Sequence, residues 1–323
     1  MVEVKNLVKN YGSINALDKV SFTVEKGEIL GFLGPNGAGK STTLNIITGY
    51  LSSDKGTVII DGYDILENPK EARSRIGYLP EQPPLYSDMT VEKYLEFIYG
   101  LKKVKLPKKQ HIEEIMKLVK IDDIKGRVIG NLSKGYKQRV GFAQALIGNP
   151  QVVILDEPTV GLDPRQIVEM RSVIRSLAKK HTVIFSSHIL SEVSNICDRI
   201  VVISEGKIVA DAKTTELSAV AADVKKLSLI VEGSSSSVLS LVGELEGVTK
   251  VRRVSQISEG VFEYAVEYKK ETDVRRAVFK ALAKANLVIL EMKDSGLSLE
   301  DSYMQLTKSA GMNARQKRGG ALR

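Results

Sequence analysis

Gly34-Pro35-Asn36-Gly37-Ala38-Gly39-Lys40-Ser41-Thr42 follows the apolar run Ile29-Leu30-Gly31-Phe32-Leu33, and this stretch decides the fold. It matches G-x-x-x-x-G-K-[ST], the pattern of a phosphate-binding loop. The apolar run predicts a buried strand, and a helix is expected from Lys40 to about Thr48. Glycines, lacking a Cβ, let successive backbone N–H groups turn toward an anion. The start of the helix aims its positive end at the same point. Lys40 brings a charge for the β- and γ-phosphates, and the Ser41 hydroxyl is a ligand for Mg²⁺. A chance match in a chain of this length is on the order of one in a hundred, before the flanking strand and helix are considered. The whole loop, Gly34 through Thr42, is therefore expected to bind a nucleotide.

Val152-Val153-Ile154-Leu155-Asp156-Glu157-Pro158 is a second decisive stretch. An apolar strand in a parallel sheet delivers its C-terminal residues to the crevice where ligands bind. Asp156 is thereby expected at the Mg²⁺ shell, and Glu157 as the group that polarises an attacking water.

Composition narrows the setting. The chain has 323 residues, 43% hydrophobic and 27% charged, which suits a globular protein of about two domains. No run approaches the ~20 apolar residues needed to cross a bilayer. The start, Met1-Val2-Glu3-Val4-Lys5, lacks the pattern of a signal peptide, and a single cysteine, Cys197, fits a reducing compartment. The expected location is cytoplasmic. Of the net charge of +8, five positive charges are Lys308, Arg315, Lys317, Arg318 and Arg323, with no acidic residue among them. The segment 308–323 reads as a solvated, disordered tail, with contact to anionic lipid or to a partner's loop as the alternative.

Along the chain, residues 1–222 alternate short strands with helices, the pattern of an α/β domain with a largely parallel sheet. Val140 to Ile147 is helical in spacing and stops at Asn149-Pro150. The pattern loosens between Thr214 and Val224. Residues 223–307 then read as strand Leu227–Val231, helix Ser235–Leu245, strands Lys250–Ser255 and Phe262–Tyr268, helix Asp273–Ala285, strand Val288–Met292 and helix Leu299–Thr307. That β-α-β-β-α-β order predicts a small α+β domain of the ferredoxin-like kind.

The segment Leu132-Ser133-Lys134-Gly135-Tyr136-Lys137-Gln138-Arg139 resembles the Leu-Ser-Gly-Gly-Gln signature of the ATP-binding-cassette (ABC) ATPases, and the resemblance spans about residues 2–215. Lys134 and Tyr136 depart from the usual glycine and glutamine, whereas Ser133 and Gly135 remain. The resemblance implies ATP and Mg²⁺ as substrate and cofactor. It also implies a head-to-tail pair of nucleotide-binding subunits, in which the Ser133–Gly135 segment of one closes over the ATP of the other. The pair is two copies of this chain or this chain with a relative. Tyr11 matches the aromatic residue that stacks on adenine, and Gly161-Leu162-Asp163 the loop through which the subunits sense each other. His188 in Ser186-Ser187-His188 matches the γ-phosphate histidine. In Ile76-Gly77-Tyr78-Leu79-Pro80-Glu81-Gln82 the family's glutamine position falls on Glu81, with Gln82 one residue later. Either oxygen is a candidate for the Mg²⁺ or the attacking water. The stretch 83–90 resembles the segment that receives the membrane partner's coupling helix.

The Ser-Lys-Gly-Tyr signature, Leu79-Pro80-Glu81 and the ending Leu299-Glu300-Asp301-Ser302-Tyr303-Met304-Gln305-Leu306-Thr307 look like the branch that serves exporters of drugs, polysaccharides and gliding-motility cargo. That implies a permease on a separate polypeptide and a place on the cytoplasmic face of the membrane. An importer ATPase shares every catalytic motif and is the alternative within the family. A soluble ABC ATPase acting on nucleic acid or ribosomes is the alternative outside transport. No basic stretch interleaved with aromatic residues is present to stack bases, so no nucleic-acid partner is expected. The C-terminal domain, lacking any catalytic constellation, is read as support for dimerisation.

Overall fold

Five strands, β3 (Ile29–Leu33), β6 (Ile76–Leu79), β7 (Val152–Asp156), β8 (Thr182–Ser187) and β9 (Arg199–Ser204), run parallel, and they carry nearly every loop singled out above. The computed structural model describes residues 1–217, 224–269, 271–294, 303–304 and 306–307. They fall into two compact units, centred on Met1–Thr214 and Thr215–Leu306.

In the first unit the sheet order is β10-β9-β3-β8-β7-β6, with β10 (Lys207–Lys213) antiparallel at the edge. β3, β7 and β8 are buried along their whole length, which explains their unbroken apolar sequences. A second sheet, order β2-β1-β4-β5, was not anticipated. It is antiparallel throughout and consists of β1 (Val2–Tyr11), β2 (Ile14–Val24), β4 (Lys55–Ile60) and β5 (Tyr63–Asp64). The domain is therefore α/β with mixed sheets: the largely parallel one expected and this antiparallel one in addition. α1 (Lys40–Ile47) shares its buried Leu44, Ile46 and Ile47 with a core drawn from both sheets, where the Phe22 and Phe32 rings stack at 5.3 Å.

The remaining helices of this unit are α2 (Pro69–Ser74), α3 (Val91–Leu101), α4 (Lys108–Leu118), α5 (Lys134–Leu146), α6 (Pro164–Leu177) and α7 (Leu190–Ser194). Their starts follow capping chemistry. Thr90 caps α3, Ser133 caps α5, and Asp163 with Gln166 forms a capping box on α6. The helix expected over 140–147 is the second half of α5, and it ends before Gly148, whose φ of 93° stops it.

The second unit contains β11 (Val224–Glu232), α8 (Ser235–Gly243), β12 (Val248–Ser258), β13 (Val261–Lys269), α9 (Arg275–Lys284) and β14 (Val288–Asp294). Its four-stranded antiparallel sheet has the order β12-β13-β11-β14. Alternate residues Leu227, Leu229 and Val231 of β11 and Tyr264, Val266 and Tyr268 of β13 meet Val238 and Val242 of α8 and Val278 and Leu282 of α9 in one core. Both helices thus cover the same face, as the period-two alternation requires. Of the helix expected over Leu299–Thr307, only Tyr303, Met304, Leu306 and Thr307 are among the described residues, and all four are helical. The rest of it and the segment 308–323 lie outside them.

Candidate functional site

β3 leads through Gly34 into the glycine loop, and α1 begins at Lys40 directly after Gly39. Gly39 has φ 107°, and a Cβ there would stand 2.7 Å from Leu17 Cδ2 and 2.9 Å from the Ala16 carbonyl oxygen, so only glycine fits. Lys40 is 6% exposed. Its Nζ donates to the Gly34 carbonyl at 2.7 Å and the Pro35 carbonyl at 3.3 Å, and lies 3.4 Å from Glu157 Oε1.

The acidic pair stands where a parallel sheet delivers it. Asp156 ends β7 opposite Ser186 of β8, and the Ser186 hydroxyl donates to Asp156 Oδ1 at 2.5 Å. Glu157 has φ 49°, unusual for a residue with a side chain, and is 6% exposed. Strain of this kind, of order 1–3 kcal/mol, persists only where surrounding bonds hold it. Here the Glu157 N–H donates to the Ser186 carbonyl at 3.2 Å and to its hydroxyl at 3.1 Å. The turn aims the carboxylate at two partners, Lys40 through Oε1 and His188 Nδ1 through Oε2 at 2.9 Å. A carboxylate only accepts, so Nδ1 carries the proton of this hydrogen bond. The His188 side chain is 40% exposed. Nearby, burial and, behind it, the charge of Asp156 push the Tyr78 phenol well above its ordinary pKa.

Ser133 and Gly135 form a separate cluster. The Ser133 hydroxyl accepts from the Tyr136 N–H at 3.4 Å at the start of α5. Asp163 Oδ1 accepts from the Gln166 N–H at 2.8 Å, and Gln166 Oε1 accepts from the Asp163 N–H at 3.3 Å. A Cβ on Gly135 would lie 2.6 Å from that same Oε1, so the starts of α5 and α6 touch through the glycine. Lys134, one of the departures from the signature pattern, lays its side chain across Gly161. Among the described residues no hydrogen bond or ion pair joins this cluster to the one around Lys40 and Glu157.

Of the other anticipated residues, Tyr11 ends β1, is 48% exposed, and has Lys9 Nζ 5.8 Å from its ring centroid. Ser41 is exposed at the first turn of α1. Gln82 lines a groove of about 610 Å³ with Asn45, Tyr50, Tyr78 and Pro80, whereas Glu81 does not. Neither residue hydrogen-bonds the Asp156–Glu157 cluster among the described residues. Beyond them, Tyr86 sits edge-on to Phe97 at 5.5 Å and Tyr94 at 6.1 Å, with Tyr86 and Phe97 exposed. Sequence reasoning missed Ser186, Thr159, Gln166 and Glu192. Ser186 carried a visible signal in the Ser-Ser-His run, and Gln166 in its capping-box spacing from Asp163.

Hard oxygen donors suit Mg²⁺: the Ser41 hydroxyl, on the helix after β3, and the Asp156 carboxylate, at the end of β7, lie at the C-terminal ends of two strands of one sheet that flank β8. Among the described residues no three His, Cys, Asp or Glu side chains cluster to hold a metal by themselves. That donor set fits a cation held jointly with phosphate oxygens.

A strand, a glycine loop, a lysine-bearing helix and a parallel strand of the same sheet, one place removed, that ends in paired carboxylates define a P-loop nucleoside-triphosphatase. The family model described as ABC transporter matches residues 17–160. The uncharacterized ABC transporter ATP-binding protein YhcH of Bacillus subtilis is 33% identical over 309 residues, covering 95% of this chain and 96% of that protein. The bacitracin transport ATP-binding protein BcrA of Bacillus licheniformis is 39% identical over 213 residues, 65% of this chain and 69% of that protein. The linearmycin resistance ATP-binding protein LnrL of Bacillus subtilis is 33% identical, covering 78% and 81%. Among solved structures, the dimeric post-hydrolysis state of the cassette MJ0796 bound to ADP and Pi aligns with TM-score 0.61 at 27% identity, covering 66% of this chain and 99% of that one. The chain belongs to the ABC transporter ATP-binding protein family. It is an ATP-binding, ATP-hydrolysing transporter subunit with the ABC cassette fold.

Proposed function

We propose that the chain powers an exporter whose membrane-spanning permease is a separate polypeptide, working as one of two cassettes on the cytoplasmic face of the membrane. Relatives named for bacitracin transport and linearmycin resistance support the direction, because a transporter that protects a cell from a toxin does so by moving it outward. Among the described residues no helix is long and apolar enough to cross a membrane.

One observation carries the catalytic reading: a single buried carboxylate, Glu157, meets both the phosphate-loop Lys40 and His188. ATP binds at Gly34–Thr42 with its base against Tyr11. Lys40 then exchanges Glu157 and the loop carbonyls for phosphate oxygens. Ser41 and Asp156 would hold Mg²⁺, with Glu81 or Gln82 reaching the same shell, and the bound ion neutralises phosphate charge. Glu157, released from Lys40, orients the water, and His188 meets the γ-phosphate. Among the described residues the Ser133–Gly135 cluster makes no bond to this centre, which favours its service to the ATP of a second subunit, with Asp163 at the shared boundary. The exposed Tyr86–Phe97 patch beside the 83–90 segment is our candidate for the permease contact. We read the second unit as ferredoxin-like, from its element order and strand order, and as an aid to dimerisation.

Glu157→Gln tests the core of this. The variant is expected to bind ATP as the native chain does, lose at least about 100-fold in turnover, and elute as a dimer with ATP in size-exclusion chromatography. Native turnover by Glu157→Gln would refute the role. A chain ending at Leu217 that dimerised equally well would remove the role given to the second unit.

A further inference from the structure

Glu192 lies on α7, and no step above uses it. It is 4% exposed, and among the described residues it forms no ion pair. A carboxyl group in such a place is a poor source of stability, since desolvation opposes it and no opposite charge compensates. What it has instead is two hydroxyl donors. Thr159 Oγ1 donates to Glu192 Oε2 at 2.7 Å, and Ser187 Oγ donates to the same oxygen at 3.1 Å. The Ser187 oxygen also accepts from the Ile189 N–H at 3.0 Å, which leaves its proton for Glu192. Both donors are buried, so neither exchanges its partner for water at no cost.

The donors sit at the roots of two different loops. Thr159 opens the turn in which its carbonyl accepts from the Leu162 N–H at 3.2 Å and Gly161 takes φ 74°, ending at Asp163, the cap of α6. Ser187 immediately precedes His188, whose Nδ1 meets Glu157. The consecutive residues Ser186, Ser187 and His188 therefore all clasp the segment after β7. Ser186 holds Asp156 and the Glu157 N–H, His188 holds the Glu157 carboxylate, and Ser187 reaches Thr159 only through Glu192.

Resting on the ATPase reading given above, we propose that Glu192 is a positioning residue that couples the His188 loop to the Thr159–Asp163 loop. Through the shared oxygen, a shift of His188 on loss of the γ-phosphate is passed to the turn that faces the second subunit. Hydrolysis at one site thereby loosens the boundary with the neighbouring cassette.

The test uses the full-length chain and compares Glu192→Leu, which removes the acceptor, with Glu192→Gln, which keeps an oxygen able to accept both hydroxyls. Steady-state ATPase and binding of trinitrophenyl-ATP are measured for each. Glu192→Leu is expected to lower kcat at least about tenfold while KM and nucleotide affinity stay within about twofold. Glu192→Gln is expected to keep kcat within about threefold of the native value. Thr159→Val lowers kcat alone but adds nothing to Glu192→Leu, because both remove the same link. The coupling is overturned by native kcat in Glu192→Leu, by Glu192→Gln as impaired as Glu192→Leu, or by additive losses with Thr159→Val. Should Glu192→Leu fail to fold, Thr159→Val and Ser187→Ala remove the donors instead, and native kcat in both overturns it equally. Glu157→Gln is the control that separates the two readings. Normal hydrolysis by that variant sinks the site itself, whereas its inactivity beside a normal Glu192→Leu sinks only the coupling.

Discussion

At the scale of single residues the site depends on groups held in conformations they would not choose alone. Glu157 occupies a left-handed turn, and Ser186 supplies both acceptors that keep it there. Ser186 is fully buried and its hydroxyl also donates to Asp156, so Ser186→Ala removes one bond from each carboxylate residue while the Ser186 carbonyl still accepts from the Glu157 N–H. We expect the variant to be less stable by about 1–3 kcal/mol, the cost of leaving a buried partner unsatisfied. Urea unfolding followed by circular dichroism measures this, and ATPase assays should show kcat falling while ATP affinity holds. An unchanged midpoint and unchanged kcat would contradict the assignment. Lys40 was a candidate by its loop pattern, Asp156 and Glu157 by the end of an apolar strand, and His188 by the family resemblance. Ser186 and Glu192 were not, because what gives a serine or a glutamate its meaning is a partner about 30 residues away, at Asp156 and Thr159.

At the scale of elements, α5 lies close against two segments that carry candidate site residues. Its start touches α6 at Gly135, and its middle touches the segment after β6 at Gly141, where a Cβ would stand 2.5 Å from Pro83 Cβ and 2.8 Å from Leu79 Cδ1. A side chain at either glycine levers α5 away from a neighbour. For Gly135→Ala the Gln166 amide must leave the capping box with Asp163, which costs stability of about 1 kcal/mol, the worth of a cap. Turnover should fall much further than that, by an order of magnitude or more, because the displaced cap carries the loop of Asp163. Thermal melting and kcat measured on the same preparation decide it: a loss of activity explained wholly by unfolding would remove the argument. Element boundaries were readable from apolar runs and caps. The antiparallel sheet of β1, β2, β4 and β5 was not, since alternation such as that of Val2, Val4 and Leu7 says which face is buried but not which strand lies alongside. Pairing β1 with β4 joins residues as far apart as Val2 and Ile60, a matter of tertiary packing rather than local pattern.

For the molecule as a whole, the function proposed above places the chemistry and its purpose on different polypeptides. The first unit holds the complete set of phosphate, acidic and signature segments once each, and the described residues contain no helix able to span a bilayer. On that proposal, hydrolysis energy leaves through a surface of the cassette. The strongest candidate surface is aromatic: Tyr86 and Phe97, exposed and packed edge to face, with exposed Leu101 close by along α3. Phe97 does not belong to the nucleotide site, so Phe97→Glu should leave basal ATPase activity intact while setting a charge against an apolar partner, a mismatch that costs several-fold or more in affinity. Recovery of the native protein from gently solubilised membranes should bring down a multi-spanning protein, and the Phe97→Glu variant should recover distinctly less of it at equal expression. Co-purification unaffected by the substitution would move the contact elsewhere on the cassette. Ribosomal proteins or nucleic acid in place of an integral membrane protein would leave the chemistry of Glu157 standing and overturn its use in transport.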